Sequence, residues 1–108
     1  MILPKTTECI LKCENSWLTI WFNRPEKRNS LSKILIKEIN QSLNFVENDP
    51  SIRGVIFRGK GNVFCAGADL KWMQSIASKK SNSSDLAMKM SIEFGEMFKN
   101  ISNLSKVT

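Results

Sequence analysis

The residues whose types and spacing can do chemistry lie in one stretch, Gly59-Lys60-Gly61-Asn62-Val63-Phe64-Cys65-Ala66-Gly67-Ala68-Asp69-Leu70-Lys71-Trp72-Met73. Ala66, Gly67 and Ala68 form a neck almost without side chains, so a ligand can approach the main chain closely there. Asp69 follows, and Leu70, Trp72, Met73 and Ile76 then recur at helical spacing. The first N–H groups of a helix lack internal acceptors and sit at the positive end of its dipole. The N–H of Ala68 can therefore donate to an oxygen that gains negative charge, which is half of an oxyanion hole. A tight strand-to-helix connection, with Asp69 favouring the helix start, explains the same residues without chemistry.

Other chemistries are excluded more easily. Gly54-x-x-x-x-Gly59-Lys60-Gly61 nearly spells a phosphate-binding loop. It ends in Gly rather than Ser or Thr, and its intervening residues are strand-like. Gly59-x-Gly61 lacks the third glycine of a dinucleotide fingerprint. The chain has no histidine, so no Ser-His or Cys-His nucleophile is available within it. Cys9, Cys13 and Cys65 are an odd count, which predicts reduced thiols in an intracellular protein. Cys9 and Cys13 share one face of a strand and read as small buried hydrophobes. No metal site is expected, because there is no His and no second Cys pair.

The elements that must position the neck read as follows. Cys9, Leu11 and Cys13 alternate on one strand. Asn15-Ser16 is a turn, and Trp17-Leu18-Thr19-Ile20-Trp21-Phe22 is a second strand, so a hairpin is predicted. Asn23-Arg24-Pro25 ends it. Asn29 or Ser32 caps a helix whose core face is Leu31, Leu35, Ile39, Leu43 and Val46, broadened by Ile34, Ile36 and Phe45. Lys33, Lys37, Glu38 and Gln41 are assigned to its wet side. Asn48-Asp49-Pro50 stops it. A buried strand over 54–58 leads to the neck, and a short helix runs from the neck to about Ala77. Residues 78–84 are polar and read as a mobile loop. A last helix starts at Asp85, capped by Ser84, with Leu86, Met90, Phe94, Met97, Phe98 and Ile101 as its stripe. Met73, Met88, Met90 and Met97 read as core fillers. Composition and order alone say one α/β domain at most.

The chain has 108 residues, 42% of them hydrophobic, and a net charge of +6. That excess predicts a solvated basic surface, an attraction for polyanionic ligands such as nucleotide phosphates, or a nucleic-acid surface, in that order. No recognised nucleic-acid motif is present, so no specific nucleic acid is expected. No apolar run is long enough to span a bilayer, and the first residues resemble neither a signal nor a transit peptide. A soluble cytoplasmic protein is expected, or one of the mitochondrial matrix in a eukaryote.

Phe64-Cys65-Ala66-Gly67-Ala68-Asp69-Leu70-Lys71-Trp72-Met73 resembles the signature of the enoyl-CoA hydratase/isomerase (crotonase) superfamily. Asn23-Arg24-Pro25-Glu26-Lys27-Arg28-Asn29-Ser30-Leu31 resembles the family's earlier motif, and the spacing between the two fits. The Cys-Ala-Gly-Ala-Asp-Leu-x-Trp-Met form is most similar to the methylglutaconyl-CoA hydratase branch. The resemblance covers essentially the whole chain, while the chain covers well under half of the family's domain. It implies the α/β, N-terminal portion of the crotonase-like ββα spiral, with residues 1–108 a truncated part of that domain.

The resemblance further implies an acyl-CoA thioester as ligand, with no cofactor beyond the coenzyme A it carries. It assigns Ala68 as one backbone oxyanion donor. It sets Lys27, Arg28 and Ser30 along the coenzyme A channel, with Ala66, Asp69 and Leu70 at the neck; Lys71 is a weaker candidate for a phosphate contact, and a solvated helix face explains it equally well. Trp72 and Met73 wall the acyl pocket or fill core. The family's second oxyanion donor and its acid/base glutamates come later than Thr108, and no motif maps Glu93 or Glu96 onto those roles. A homotrimer or hexamer is the family's assembly. A non-catalytic fragment, or one part of a split protein needing a C-terminal complement, is the alternative.

Overall fold

The computed structural model describes the backbone of residues 2–67 and 83–108. Two short strands come first, β1 (Cys9–Glu14) and β2 (Trp17–Phe22). They pair antiparallel, Cys9 opposite Phe22 and Glu14 opposite Trp17. Asn15 and Ser16 both sit at positive φ, 53° and 68°, as a two-residue hairpin turn requires. A short 3₁₀ turn, Pro25–Lys27, then leads to α1 (Lys33–Glu47). Strand β3 (Gly54–Gly59) pairs parallel to β2, so α1 is the crossover between them. The described chain ends with α2 (Ser83–Ser102) and a single parallel bridge from Val107 to Gly54 at the free edge of β3.

Alternation decides which face of the sheet is covered. Leu18, Ile20 and Phe22 point one way from β2 and are buried, while Trp17, Thr19 and Trp21 point the other way and are half-buried. Against the buried face α1 lays Leu35, Ile36, Ile39, Leu43 and Val46. Met97 of α2 closes the same core. Ser32 caps α1, its Oγ accepting from the Leu35 amide at 3.0 Å.

Several sequence expectations change. Glu38 is not on the wet side: it is 7% exposed. Its carboxylate accepts from the Thr7 amide at 2.7 Å, the Thr7 hydroxyl at 3.0 Å, the Glu8 amide at 2.8 Å and the Cys9 amide at 3.1 Å. The chain entering β1 runs past α1 with its amides aimed at the helix, and buried amides need acceptors. Ile34 is exposed rather than part of the core face. Strand β3 buries Val55 but leaves Ile56 exposed on the uncovered face of the sheet, so it is not buried on both sides. Helix α2 starts at Ser83, ahead of the expected Asp85. Phe98 is 59% exposed and Met88 63%, so neither fills core. The short helix after the neck and most of the 78–84 loop lie outside the described residues. No helix among the described residues is long and apolar enough to cross a membrane.

Candidate functional site

The two stretches singled out above meet. The earlier one leaves β2 at Asn23, whose amide donates to Glu8 O at 2.9 Å. Pro25 then opens the 3₁₀ turn, with the Lys27 amide donating to Arg24 O and the Arg28 amide to Pro25 O, both at 3.0 Å. Arg28 and Asn29 follow at φ 54° and 56°, two consecutive residues in the left-handed region. That conformation costs an ordinary L-residue about 1–2 kcal/mol, and Asn tolerates it best after Gly. It reverses the chain and turns the Arg28 carbonyl toward the neck.

There the neck docks edge to edge on the loop. The Ala66 amide donates to Arg28 O at 3.0 Å, and the Leu31 amide donates to Gly67 O at 2.5 Å. Gly67 sits at φ 102°, and among the described residues no atom lies within 4 Å of where a Cβ would point, so the positive φ is the reason for glycine there. At Gly59 the reverse holds. A Cβ would stand 2.7 Å from Phe64 O and 2.9 Å from Asn29 Nδ2, because the turn folds back onto its own strand end.

Side chains inside the loop hold this junction. Asn29 is fully buried; its Oδ1 accepts from the Arg24 amide at 2.8 Å, and its Nδ2 donates to Lys60 O at 2.9 Å and Val63 O at 2.6 Å. Arg24 turns inward as well. Its Nη1 donates to Ser30 O at 2.5 Å and to Ser30 Oγ at 3.3 Å, and its Nε lies 3.1 Å from Glu8 Oε1. Ser32 Oγ, besides capping α1, donates to that same Glu8 oxygen.

The expected site residues therefore fall into three groups. Lys27 and Arg28 are exposed at the tip of the loop, beside the neck. Ser30 and Ala66 are brought there too, but the Ser30 side chain is buried against Arg24 and the Ala66 N–H is taken by Arg28 O. Ala68, Asp69 and Leu70, with Lys71, Trp72 and Met73, lie outside the described residues. Sequence reasoning missed Arg24, Glu8 and the bridging role of Asn29. The one available signal was Asn29 itself, a residue type that accepts left-handed φ and carries both a donor and an acceptor.

An apolar cavity of about 400 Å³ opens against the neck. It is lined by Phe22, Leu31, Phe57, Phe64, Cys65 and Gly67 around the neck, by Ile39 of α1, and by Met97, Phe98 and Ile101 of α2. Phe64 stacks on Phe22 with ring centroids 5.1 Å apart. Two nearby cations face the opposite side of the sheet: Lys60 Nζ stands 3.9 Å and the Arg58 guanidinium 4.5 Å from the Trp21 ring centre. The Cys9 thiol is pushed up to about 12, chiefly by burial, with the Glu38 charge adding to it. It is a packed group and not a nucleophile at neutral pH. The near phosphate-loop Gly54–Gly61 is mostly strand, with Gly54–Gly59 all paired to β2.

Residues 12–107 match the enoyl-CoA hydratase/isomerase family model. The chain belongs to the enoyl-CoA hydratase/isomerase family. Among curated hydratases it is 40% identical over 65 residues to the mitochondrial enoyl-CoA hydratase of Pongo abelii, covering 60% of this chain and 22% of that protein. It is 33% identical over 73 residues to the crotonyl-CoA hydratase of Syntrophomonas wolfei, covering 67% of this chain and 28% of that one. The crystal structure of an enoyl-CoA hydratase/isomerase from Marinobacter aquaeolei superposes with a TM-score of 0.84 at 36% identity, over 93% of this chain and 39% of that chain. A crotonase-type structure from Legionella pneumophila gives 0.85 at 26% identity, over 94% and 38%. The fold is thus the α/β, N-terminal part of the crotonase fold, and the chain spans well under half the length of these relatives.

Proposed function

We propose that this chain binds an acyl-CoA thioester at the junction of loop and neck, and that the Ala68 N–H is one donor of an oxyanion hole. The observation that carries the reading is the backbone pairing of Ala66 with Arg28 and of Gly67 with Leu31. It joins three things a thioester needs within one small region. Lys27 and Arg28 supply exposed positive charge for the coenzyme A phosphates. The neck lets the thioester oxygen approach main-chain N–H groups. The apolar cavity takes the acyl chain. In the full reaction this implies, water adds to an enoyl thioester through an enolate-like state held by two N–H donors, and carboxylates move the protons.

A second reading is favoured by coverage: the chain spans 39% of the Marinobacter chain. In it, these residues bind the thioester but need a complementing segment for turnover. One experiment addresses both. Calorimetric titration of the chain with crotonyl-CoA should give saturable 1:1 binding that weakens with salt. Lys27→Ala should weaken it severalfold and flatten the salt dependence. Ala68→Val, which sets branched methyls where the thioester oxygen must approach, should weaken it further. An isotherm without saturation overturns the reading. Hydration of crotonyl-CoA that tracks the pure chain overturns the need for a complement.

A further inference from the structure

We propose that Asn29 is a positioning residue for the acyl end of the ligand: its carboxamide sets the path of the glycine turn, and through it the geometry of the neck. The inference rests on the acyl-CoA reading above and goes beyond it, because Asn29 itself touches no ligand.

Three observations carry it. First, the side chain is fully buried, yet its partners are the Arg24 amide on one motif and the Lys60 and Val63 carbonyls on the turn that precedes the other. A carboxamide serving only the core would bond within its own loop or to α1. This one spans 34 residues of sequence to reach Val63. Second, the turn closes tightly around this side chain: a Cβ on Gly59 would stand 2.7 Å from Phe64 O and 2.9 Å from Asn29 Nδ2. Third, the turn has few other ties. The Lys60 amide donates to Phe22 O, and the next described backbone bond along the turn and neck is Ala66 to Arg28. Between them Asn29 is the grip on the carbonyls of Lys60 and Val63.

Directionality makes this a positioning device. Both Nδ2 hydrogens lie in the amide plane, so the two carbonyls they meet are held in a fixed relation to Arg24. Without them, the stack of Phe64 on Phe22 still ties the five residues between Lys60 and Ala66, but their carbonyls lose this hold and Gly61 at φ 83° offers a pivot. A displacement of about 1 Å there is enough to misalign a backbone donor. The 3₁₀ turn that carries Lys27 and Arg28 is closed by its own backbone bonds, the Lys27 amide to Arg24 O and the Arg28 amide to Pro25 O, so the coenzyme A end should feel less of it.

The test uses the 108-residue chain and two variants. Asn29→Gly tolerates φ 56° and removes all three side-chain bonds. Asn29→Asp keeps the size and the acceptor for the Arg24 amide but faces both carbonyls with oxygen. Residue-resolved amide exchange is measured with calorimetric titration of crotonyl-CoA and of free coenzyme A. The expected result is faster exchange at Ala66 and Leu31, with parental exchange at Leu18, Ile20 and Ile39. Crotonyl-CoA should weaken roughly tenfold or more while free coenzyme A stays within about twofold. Parental exchange at Ala66 and Leu31 in both variants overturns the proposal. So does an equal loss for both ligands, or faster exchange throughout β2 and α1, which makes Asn29 a folding residue. A parent chain that binds neither ligand overturns the acyl-CoA reading instead, and the exchange result still decides whether Asn29 holds the neck.

Discussion

The layer of α1 on the sheet and the junction of loop and neck are close neighbours built on opposite principles. In the layer, Leu18, Ile20, Leu35, Ile39 and Val46 are fully buried in one apolar cluster. Their contribution is non-directional and adds up as apolar area removed from water. In the junction, Arg24, Asn29 and Ser30 are buried as polar groups, each with named partners. There the chain takes left-handed turns at Arg28 and Asn29 that no regular element would take. A layer answers a lost volume by partial collapse, at a cost in stability that grows with the cavity left behind. A junction of directional bonds loses one geometry and leaves an unpaired group behind. Stability and site geometry are thus separable in this molecule, and substitutions can pull them apart.

The largest effect is expected in the layer. Leu43→Ala removes three buried carbons from α1, away from the apolar cavity, and should cost about 2–5 kcal/mol in urea unfolding. Relative exchange at the neck should not change selectively. A selective loss at Ala66 would show that the two regions are coupled after all.

Arg28→Gly probes the junction from the other side. Relief of left-handed strain, about 1–2 kcal/mol, outweighs the greater chain entropy of glycine, so stability should rise by about 0.5–1 kcal/mol. Binding of crotonyl-CoA should nevertheless weaken, because an exposed cation is lost. A variant that is both less stable and equally good at binding would erase the contrast drawn here.

The smallest effect lies at the edge of the layer. Glu47 Oε2 accepts from the Ser105 amide at 3.1 Å, and the bonds from Ser105 hold its carboxyl below the ordinary carboxylate range. A lowered folded-state pKa means the contribution is complete above that range. It is lost as pH falls through the lowered value. Protection of the Ser105 amide should therefore fall on acidification while that of Ile39 holds. Equal losses at both would show global acid unfolding and no local release.

Much of the architecture was legible because it is written in near neighbours. The Asn15-Ser16 turn, the alternation of β2, the Ser32 cap and the Leu35–Ile39–Leu43–Val46 stripe all depend on residues within a few positions of one another. The family motifs were legible for the same reason, since each is a contiguous string. Helical periodicity failed at Glu38 because its partners, Thr7, Glu8 and Cys9, lie where the chain enters β1, 29 to 31 residues away. A charged residue on the flank of a stripe reads as solvated unless something buries it.

The sequence by itself thus determined the described strands and helices, their order and the two family motifs. Only the tertiary structure decided that those stretches pair through Ala66–Arg28 and Leu31–Gly67. It alone turned Ser30 toward Arg24, left Met88 and Phe98 in solvent, and made Asn29 a bridge and not a cap. The reason is physical. Backbone propensity and apolar period act over a few residues, whereas a buried hydrogen bond needs a partner whose position exists only once the chain has folded.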